Sequence, residues 1–166
     1  MNTRWIGHPI YRMDEVDSTN EEAKRYLSQG VENGALFVAE RQTAGKGRRG
    51  RSWDGRAGES LLMSAVLRLS LTPEQASGLT LVTGLAVCRA VESLPACPKE
   101  AGPRIKWPND VILGSRKICG ILVELLLERE RNGIVIGIGV NVNNSGFPQE
   151  LNEKATSLKR ERGRTV

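Results

Sequence analysis

The sequence predicts an α+β fold in which a mainly antiparallel sheet is flanked by helices. Residues 104–142 hold four strand candidates separated by short turns, which indicates an antiparallel meander. Two earlier segments, residues 18–30 and 72–90, each combine a helix start with apolar residues at helical spacing. Strands in one run and helices beside them are typical of the α+β class. The length of 166 residues suits one domain with a real core.

The first elements are a strand and a helix. Ile10 to Val16 is predicted to be a short strand, and VDSTNEEAKRYL follows it. The helix is expected to begin with a capping box, in which a hydroxyl and an acidic side chain three residues later satisfy free backbone N–H groups. Two pairs fit this pattern, Ser18 with Glu21 and Thr19 with Glu22. Gly30 is the expected end of the helix.

The middle of the chain predicts two strands and the longest helix. Residues 35–39 are a short apolar run, and residues 60–69 are almost continuously apolar, as in a buried strand. Thr72, followed by proline and then Gln75, is a strong helix start. Apolar residues then recur at helical spacing, at Leu79, Val82, Ala86 and Ala90. Residues 95–103 are predicted to be a loop.

The last part of the chain is rich in strand candidates. They span residues 104–107, 110–113, 117–127 and 134–142. Gly114-Ser115 and Asn132-Gly133 fit tight turns between neighbouring strands. The final stretch, ATSLKRERGRTV, predicts the start of a helix and then ends abruptly.

The composition narrows the possible functions. A net charge of +5 indicates anionic partners without identifying them. No apolar run could cross a bilayer and the N-terminus lacks a signal peptide, so we expect a cytoplasmic protein without membrane association. Cys88, Cys97 and Cys119 form no C-x-x-C pair and are interpreted as free thiols. His8 is the only histidine, so neither a histidine-based triad nor a zinc site is expected.

The loop TAGKGRRGRSW, Thr43 to Trp53, formally matches the dinucleotide fingerprint G-x-G-x-x-G. That fingerprint needs a helix directly after the loop, whereas the sequence after Ser52 is rich in glycine, so a Rossmann site is rejected. Glycines expose backbone N–H groups and arginines offer planar forks, which favours an anion. The loop alone leaves anion binding and a solvated basic turn equally open. Nucleic-acid binding ranks third, because only 4% of the chain is aromatic.

Four further motifs accompany this loop. They are DSTN (17–20), KWPND (106–110), RKICGILVE (116–124) and GIGVNVN (137–143). Together with ERQTAGKGRRGRSW, they resemble biotin protein ligases in their order and spacing, from about Asp14 to Leu158. Each motif alone would be weak, whereas five in order are very specific.

The resemblance implies an ATP-dependent ligase. Such an enzyme makes biotinyl-5′-adenylate from biotin and ATP with Mg²⁺, then moves biotin to a lysine of a carrier protein such as the biotin carboxyl carrier subunit of acetyl-CoA carboxylase. It also implies that residues 1–166 form a single catalytic domain of the biotin/lipoate ligase type, with a class II synthetase-like mixed sheet. The helix-turn-helix and the C-terminal β-barrel of other members are not recognised here, and the barrel is expected to be absent or truncated. Direct DNA binding is therefore not expected, and a homodimer stays open.

The resemblance also implies a biotin site. Its residues are Ser18, Thr19, Asn20, Gln42, Lys46, Gly47, Arg48, Lys117 and Gly120. A neutral cyclic urea needs hydroxyl and amide partners rather than charges, which suits the DSTN residues as holders of the ureido ring. Without the resemblance, plain helix capping by Ser18 and Thr19 would be favoured. Lys46 departs from the family, which often has arginine there, so the charge is kept but the bidentate fork is lost.

By the same resemblance, the ATP site comprises Arg48, Arg51, Trp53, Lys106, Asn109, Lys117 and Asn141. Lys117 and Arg48 are the expected catalytic residues, because a fixed cation between a carboxylate and the α-phosphate lowers their mutual repulsion. Trp53 is expected to stack on adenine. Asp110 is expected to orient Lys117 or the incoming carrier lysine. No metal ligand is assigned to the chain, since ATP itself carries the Mg²⁺.

Three alternatives remain. A lipoate ligase is disfavoured, because lipoate has no ureido group to match DSTN. A binding module would hold biotin or its adenylate with little transfer. A basic nucleic-acid adaptor is the least favoured. Biotin-dependent exchange of pyrophosphate into ATP separates the four possibilities.

Overall fold

Seven strands form one mixed sheet in the computed structural model, which describes residues 5–69, 71–94, 102–127 and 132–166. The elements are β1 (Ile10–Val16), α1 (Thr19–Gln29), β2 (Leu36–Gln42), β3 (Ser60–Leu67), α2 (Pro73–Glu92), β4 (Arg104–Lys106), β5 (Asp110–Leu113), β6 (Arg116–Leu126), β7 (Gly133–Asn141) and α3 (Leu158–Arg162). The strand order is β1-β2-β3-β7-β6-β5-β4. Strands β1 and β2 pair in parallel, and the other neighbouring pairs are antiparallel. The predicted α+β class and the antiparallel meander are confirmed.

Strand β7 lies in the middle of the sheet, between β3 and β6. In the ladder between β6 and β7, Gly120 pairs with Gly139 and Leu122 pairs with Gly137. Residues two positions apart on a strand share a face. Gly137, Gly139 and Asn141 of β7 therefore lie in a row on one face, with Gly120 and Leu122 beside them. The two glycines of this row, with Gly120 beside them, leave space above that face for other groups.

The two long helices cover opposite faces of the sheet. Helix α1 packs through Ala23 and Leu27 against Phe37, Val66 and Val135 in one buried cluster. Helix α2 packs through Val87, Cys88 and Val91 against the other face, in a cluster that includes Cys119, Ile121 and Val140. Val135 shares its face with the glycine row, so α1 covers one end of that face. The other end is available for a site.

The helix boundaries confirm some predicted signals and contradict others. Gly30 adopts a left-handed conformation (φ 94°) directly after α1, as predicted. The capping box of α2 is present, since the Thr72 side chain accepts from the Gln75 N–H and the Gln75 side chain accepts from the Thr72 N–H. The two capping boxes predicted for α1 are wrong. Ser18 occupies the cap position, but its side chain makes no capping hydrogen bond, and Thr19 is already inside the helix.

Two further predictions are wrong: the buried stripe on α2 and the turn at Asn132-Gly133. The apolar stripe predicted on α2 is mostly exposed: Val82 keeps 64% of its surface in solvent, and Ala86 and Ala90 are also exposed. The helix instead buries the neighbouring face, which carries Val87, Cys88 and Val91. The sequence does not distinguish the two faces, because α2 is apolar on both. The turn predicted at Asn132-Gly133 is also absent, because Gly133 pairs with Leu126 inside the ladder. Gly114 does form the predicted turn, with a φ of 61°.

Some predictions lie wholly or partly outside the described residues. Most of the predicted 95–103 loop, including Cys97, is among these. The other two thiols, Cys88 and Cys119, are free and buried. Among the helices that the structure describes, none is long and apolar enough to cross a membrane.

Candidate active site

A cavity of about 580 Å³ opens on the glycine-bearing face of the sheet. Its lining brings together every residue that the sequence assigned to a site: Ser18, Thr19, Asn20, Gln42, Lys46, Gly47, Arg48, Arg51, Trp53, Lys106, Asn109, Asp110, Lys117, Gly120 and Asn141. These residues come from five stretches of the chain that are far apart in sequence. Their convergence makes this cavity the candidate active site.

The floor of the cavity is made of glycine and covered by one aromatic ring. A Cβ atom on Gly139 would lie 2.5 Å from the indole of Trp53, and one on Gly120 would lie 2.7 Å from it. Real Cβ atoms do not approach heavy atoms so closely, so the ring depends on both glycines. The indole N–H of Trp53 is buried and has no hydrogen-bond partner in the described part of the chain. The floor therefore offers an apolar surface with one free donor.

A neutral polar cluster stands at one end of the glycine row. The backbone N–H and the hydroxyl of Thr19 lie 2.7 and 2.9 Å from Oε1 of Gln42. The hydroxyl of Ser64, a fully buried residue, lies 2.8 Å from Oγ1 of Thr19 and 2.6 Å from Oδ1 of Asn20. Ser64 was not predicted from the sequence. It belongs to none of the motifs and reaches the cluster through the pairing of β3 with β2 and β7, in which it lies opposite Gly137. We call Thr19, Asn20, Gln42 and Ser64 the polar cluster.

Asn20 is fixed from two sides. Its Nδ2 donates to Oε2 of Glu124 over 2.7 Å and reaches the carbonyl of Leu122 at 3.4 Å. Gly137 lies beneath it, since a Cβ atom on Gly137 would stand 2.0 Å from Oδ1 of Asn20. Glu124 does not line the cavity but lies behind Asn20. Its place at the end of the RKICGILVE motif was the available signal in the sequence.

A chain of ion pairs runs from this cluster to the basic loop. Lys24 pairs with Glu124 at 3.1 Å and with Glu21 at 2.6 Å, and Glu21 also pairs with Lys46 at 2.6 Å. Partial burial disfavours the charge on Glu21, but the hydrogen bonds from the two lysines outweigh it and lower the pKa of the carboxyl. The ammonium of Lys46 is therefore engaged with α1, although the residue lines the cavity.

Lys117 meets Asp110 beside the glycine floor. Its Nζ lies 2.7 Å from Oδ1 of Asp110, a close ion pair without ideal hydrogen-bond angles, and 5.2 Å from the centroid of the Trp53 ring. A Cβ atom on Gly120 would lie 3.1 Å from the same ammonium. The ammonium thus stands over the middle of the cavity floor, next to the aromatic ring.

The basic loop surrounds this centre with further positive charge. It folds back on itself through a bridge between Lys46 and Ser52, and Arg49 adopts a left-handed conformation (φ 57°) at its tip. Arg48, Arg49 and Arg51 form no ion pair with an acid in the described ranges. Several guanidinium groups on one short loop suit a ligand with more than one negative charge.

The far wall was not predicted. It consists of Asn144, Phe147, Leu151, Lys154 and Ala155. This segment is held by backbone hydrogen bonds from the Lys117 N–H to the Lys154 carbonyl and from the Thr156 N–H to the Lys117 carbonyl, both 2.8 Å long. The Nδ2 of Asn141 also donates to the carbonyl of Thr156. No local spacing marks these residues, because long-range hydrogen bonds place them.

The chain is similar to proteins of known family. A sequence model of the Biotin/lipoate A/B protein ligase family matches residues 13–141. The Bifunctional ligase/repressor BirA of Bacillus spizizenii is 34% identical over all of this chain and 51% of its own length. A Biotin--[acetyl-CoA-carboxylase] ligase of Mycobacterium tuberculosis is 38% identical over 87% of this chain and 52% of its own.

A solved structure shows the same architecture. It is a biotin protein ligase from Aquifex aeolicus in complex with biotin and ATP, which superposes with a TM-score of 0.76 at 36% identity. The match covers 95% of this chain and 62% of that one. The chain thus spans about half the length of the curated relatives it matches.

Proposed function

The chain belongs to the Biotin/lipoate A/B protein ligase family, and we propose that it activates biotin as biotinyl-5′-adenylate and transfers the biotin to a lysine of a carrier protein. One observation carries the proposal. Three positions of β7 contact three different parts of the cavity. Gly137 lies beneath the polar cluster, Gly139 lies beneath the Trp53 ring with Lys117 nearby, and Asn141 bonds to the segment of the far wall. Successive positions on one face are about 7 Å apart. A neutral site, a cationic centre and an aromatic-lined wall thus follow one another. This is the order of the ureido ring, the acyl–phosphate junction and the adenosine in biotinyl-5′-adenylate.

The neutral end suits the ureido ring of biotin. Thr19, Asn20 and Gln42 present hydroxyl and amide groups, and all three line the cavity. Ser18 is buried beside them without a capping hydrogen bond, so its side chain remains available to the ligand. An uncharged urea exchanges hydrogen bonds with such groups without the desolvation cost of a charge. Lipoate has no ureido group, so this cluster favours biotin.

The cationic centre suits the joining step. An oxygen of the biotin carboxylate attacks the α-phosphorus of ATP, the bond to the β-phosphate breaks, and pyrophosphate leaves with the electron pair. Lys117 and Arg48 both line the cavity; in this proposal their ammonium and guanidinium groups bind the two anions and neutralise the charge that develops on phosphorus. Gly120 lets the Trp53 ring and the Lys117 ammonium lie close against the strand, and Gly47 lets the basic loop fold closely past Arg51. Asp110 holds the ammonium in place before the substrates arrive.

The remaining wall suits the nucleotide. Trp53 and Phe147 offer aromatic surface for adenine, and Asn141 borders the same wall. Arg51, Lys106 and Asn109 lie on the rim and would hold the outer phosphates. Among the described residues no group of three or more histidines, cysteines and acids could bind a metal ion. In this proposal ATP brings the Mg²⁺ on its triphosphate.

Transfer completes the reaction. The neutral amine of the carrier lysine attacks the acyl carbon of the adenylate, an amide bond forms, and AMP leaves with the electrons of the broken acyl–oxygen bond, while the nitrogen loses one proton to solvent. No nucleophilic side chain of the enzyme is needed, so positioning and charge neutralisation supply the catalysis. The Mycobacterium tuberculosis relative is named for acetyl-CoA carboxylase, which supports a biotin carboxyl carrier subunit as the acceptor. We further assign residues 1–166 to a single catalytic domain acting in the cytoplasm.

Biotin-dependent exchange of labelled pyrophosphate into ATP tests the proposal. We expect exchange with biotin and Mg²⁺ and none with lipoate, followed by transfer to a purified carrier domain in a second assay. Exchange without transfer would restrict the function to adenylate formation. The absence of both biotin binding and exchange would remove the proposal.

A further inference from the structure

The polar cluster holds fewer protons than its contacts require. Three oxygen–oxygen contacts join Asn20 to Ser64, Ser64 to Thr19 and Thr19 to Gln42, at 2.6, 2.8 and 2.9 Å. The outer two oxygens are amide carbonyls, which only accept. Two hydroxyls, each with one proton, must therefore serve three contacts, and one contact is left without a proton. An N–H donor from a ligand would relieve this deficit.

The deficit depends on the directions in which the amides of Gln42 and Asn20 point. The Thr19 N–H, which donates to Oε1 of Gln42 over 2.7 Å, holds the first of them, so the amide of Asn20 decides the count. With Nδ2 turned towards Ser64, Asn20 would donate a proton and the deficit would vanish. Two neighbours prevent this: the carboxylate of Glu124 at 2.7 Å and the carbonyl of Leu122 at 3.4 Å only accept, so they hold Nδ2 on their own side. The carboxylate is the stronger of the two, being closer and charged.

We propose that Glu124 is a positioning residue: by holding the amide of Asn20, it keeps the polar cluster one proton short and so selects a ligand that presents an N–H group. The inference rests on the proposed function, in which that ligand is biotin and its N–H belongs to the ureido ring. Glu124 is not expected to touch the ligand, because it is outside the lining of the 580 Å³ cavity and faces an adjoining pocket beneath the basic loop. Lys24 fixes the other carboxylate oxygen at 3.1 Å, which keeps Glu124 turned towards Asn20.

The inference predicts a specificity effect rather than a simple loss of binding. Without the carboxylate, Asn20 can turn its amide, donate to Ser64 and supply the missing proton. The cluster would then tolerate a ligand with an oxygen in place of the N–H. The wild-type chain should reject that ligand, because two acceptors would face each other; such an unpaired contact typically costs about ten- to a hundredfold in affinity.

The test compares biotin with its two cyclic carbamate analogues, in which one or the other ureido N–H is replaced by oxygen. Dissociation constants are measured by competition for the wild-type chain and for Glu124→Thr, since threonine is a good strand residue that cannot reach Asn20. We expect the wild type to prefer biotin over one carbamate by about ten- to a hundredfold, and Glu124→Thr to narrow this preference to less than about threefold. Glu124→Gln should restore most of the preference, because its carbonyl can accept from Asn20.

Glu15→Thr is the matched control, because it removes an exposed strand glutamate that pairs with exposed Arg41. It should keep the preference of the wild type. Two results would overturn the inference: equal loss of biotin and carbamate binding in Glu124→Thr, or failure of Glu124→Gln to restore the preference. If wild-type exchange with biotin is normal, the proposed function survives either result. A wild-type chain that binds no biotin would instead overturn the proposed function together with the inference.

Discussion

The ammonium of Lys117 lies 2.7 Å from Oδ1 of Asp110 and over the middle of the cavity floor. The two residues come from adjacent strands, β6 and β5, whose pairing shifts register between Val111 and Ile112. The backbone of Lys117 is also tied to the far wall by two hydrogen bonds. The ammonium is therefore held in place before any substrate binds, which is the condition for electrostatic preorganisation.

Replacing Lys117 with alanine should abolish adenylate formation and preserve the fold. Loss of one preorganised partner of this kind slows a reaction by about a hundred- to a thousandfold. The backbone hydrogen bonds of the residue do not need its side chain, so the melting temperature should change little. Pyrophosphate exchange measures the effect, and Lys159→Ala, which removes an exposed lysine bonded to Ser145, is the control. Near-normal exchange in Lys117→Ala would contradict the mechanism.

Replacing Asp110 with asparagine tests which lysine the carboxylate serves. If it positions Lys117, pyrophosphate exchange should fall by about tenfold, the effect of losing roughly 1.4 kcal/mol of charge-assisted contact. Transfer to the carrier should then fall no further than exchange. Measuring the two half-reactions separately decides the matter, with Asp14→Asn on exposed β1 as the control. Normal exchange with defective transfer would assign Asp110 to the carrier lysine instead.

Replacing Arg48 with glycine should release the reactive adenylate. The guanidinium lies in the basic loop without an acidic partner in the described part of the chain, so it is available to bridge carboxylate and phosphate. Losing a charge-assisted hydrogen bond should raise the release rate of biotinyl-adenylate by about ten- to a hundredfold. The measurement is non-specific biotinylation of added lysine peptides. Arg56→Gly, which removes the exposed partner of Asp54, should not leak.

The motifs predicted which residues share one cavity better than periodicity predicted which helix face is buried. DSTN, the basic loop, KWPND and RKICGILVE converge on one cavity as their resemblance to biotin protein ligases implied. Their individual roles stay predictions until variants are measured. Ser64 and the 144–155 wall could not be predicted, because each reaches the cavity through strand pairing or long-range backbone hydrogen bonds. The stripe on α2 failed because a helix with apolar residues all round does not reveal which side faces the sheet.

Two glycine-to-alanine changes affect different properties. Gly139→Ala should weaken ligand binding, whereas Gly78→Ala should raise the free energy of unfolding. Gly139→Ala places a methyl group 2.5 Å from the Trp53 ring, so the ring must move and binding of biotin and ATP should weaken. Gly78→Ala lies on α2, where an added Cβ has nothing within 4 Å, and should stabilise the fold by about 0.5–1 kcal/mol through helix propensity. Calorimetry and denaturation measure both effects. Unchanged ligand affinity in Gly139→Ala would show that the position of the ring is unimportant.

Cys119 should stay protonated and unreactive while the chain is folded. Burial raises the pKa of this thiol from its usual 9.0 to about 12. Alkylation at pH 8 should therefore spare Cys119 until denaturant is added, as peptide mass mapping can show.

Between pH 9 and about 12 the unfolded chain loses this proton and the folded chain keeps it. The free energy of unfolding should thus fall as the pH rises through that window. Because lysines and tyrosines titrate there too, the informative quantity is the difference from Cys119→Ala, whose stability should fall less steeply. Equal slopes for the two chains, or rapid alkylation of Cys119 in the native state, would show that the thiol is not shielded by the α2–sheet core.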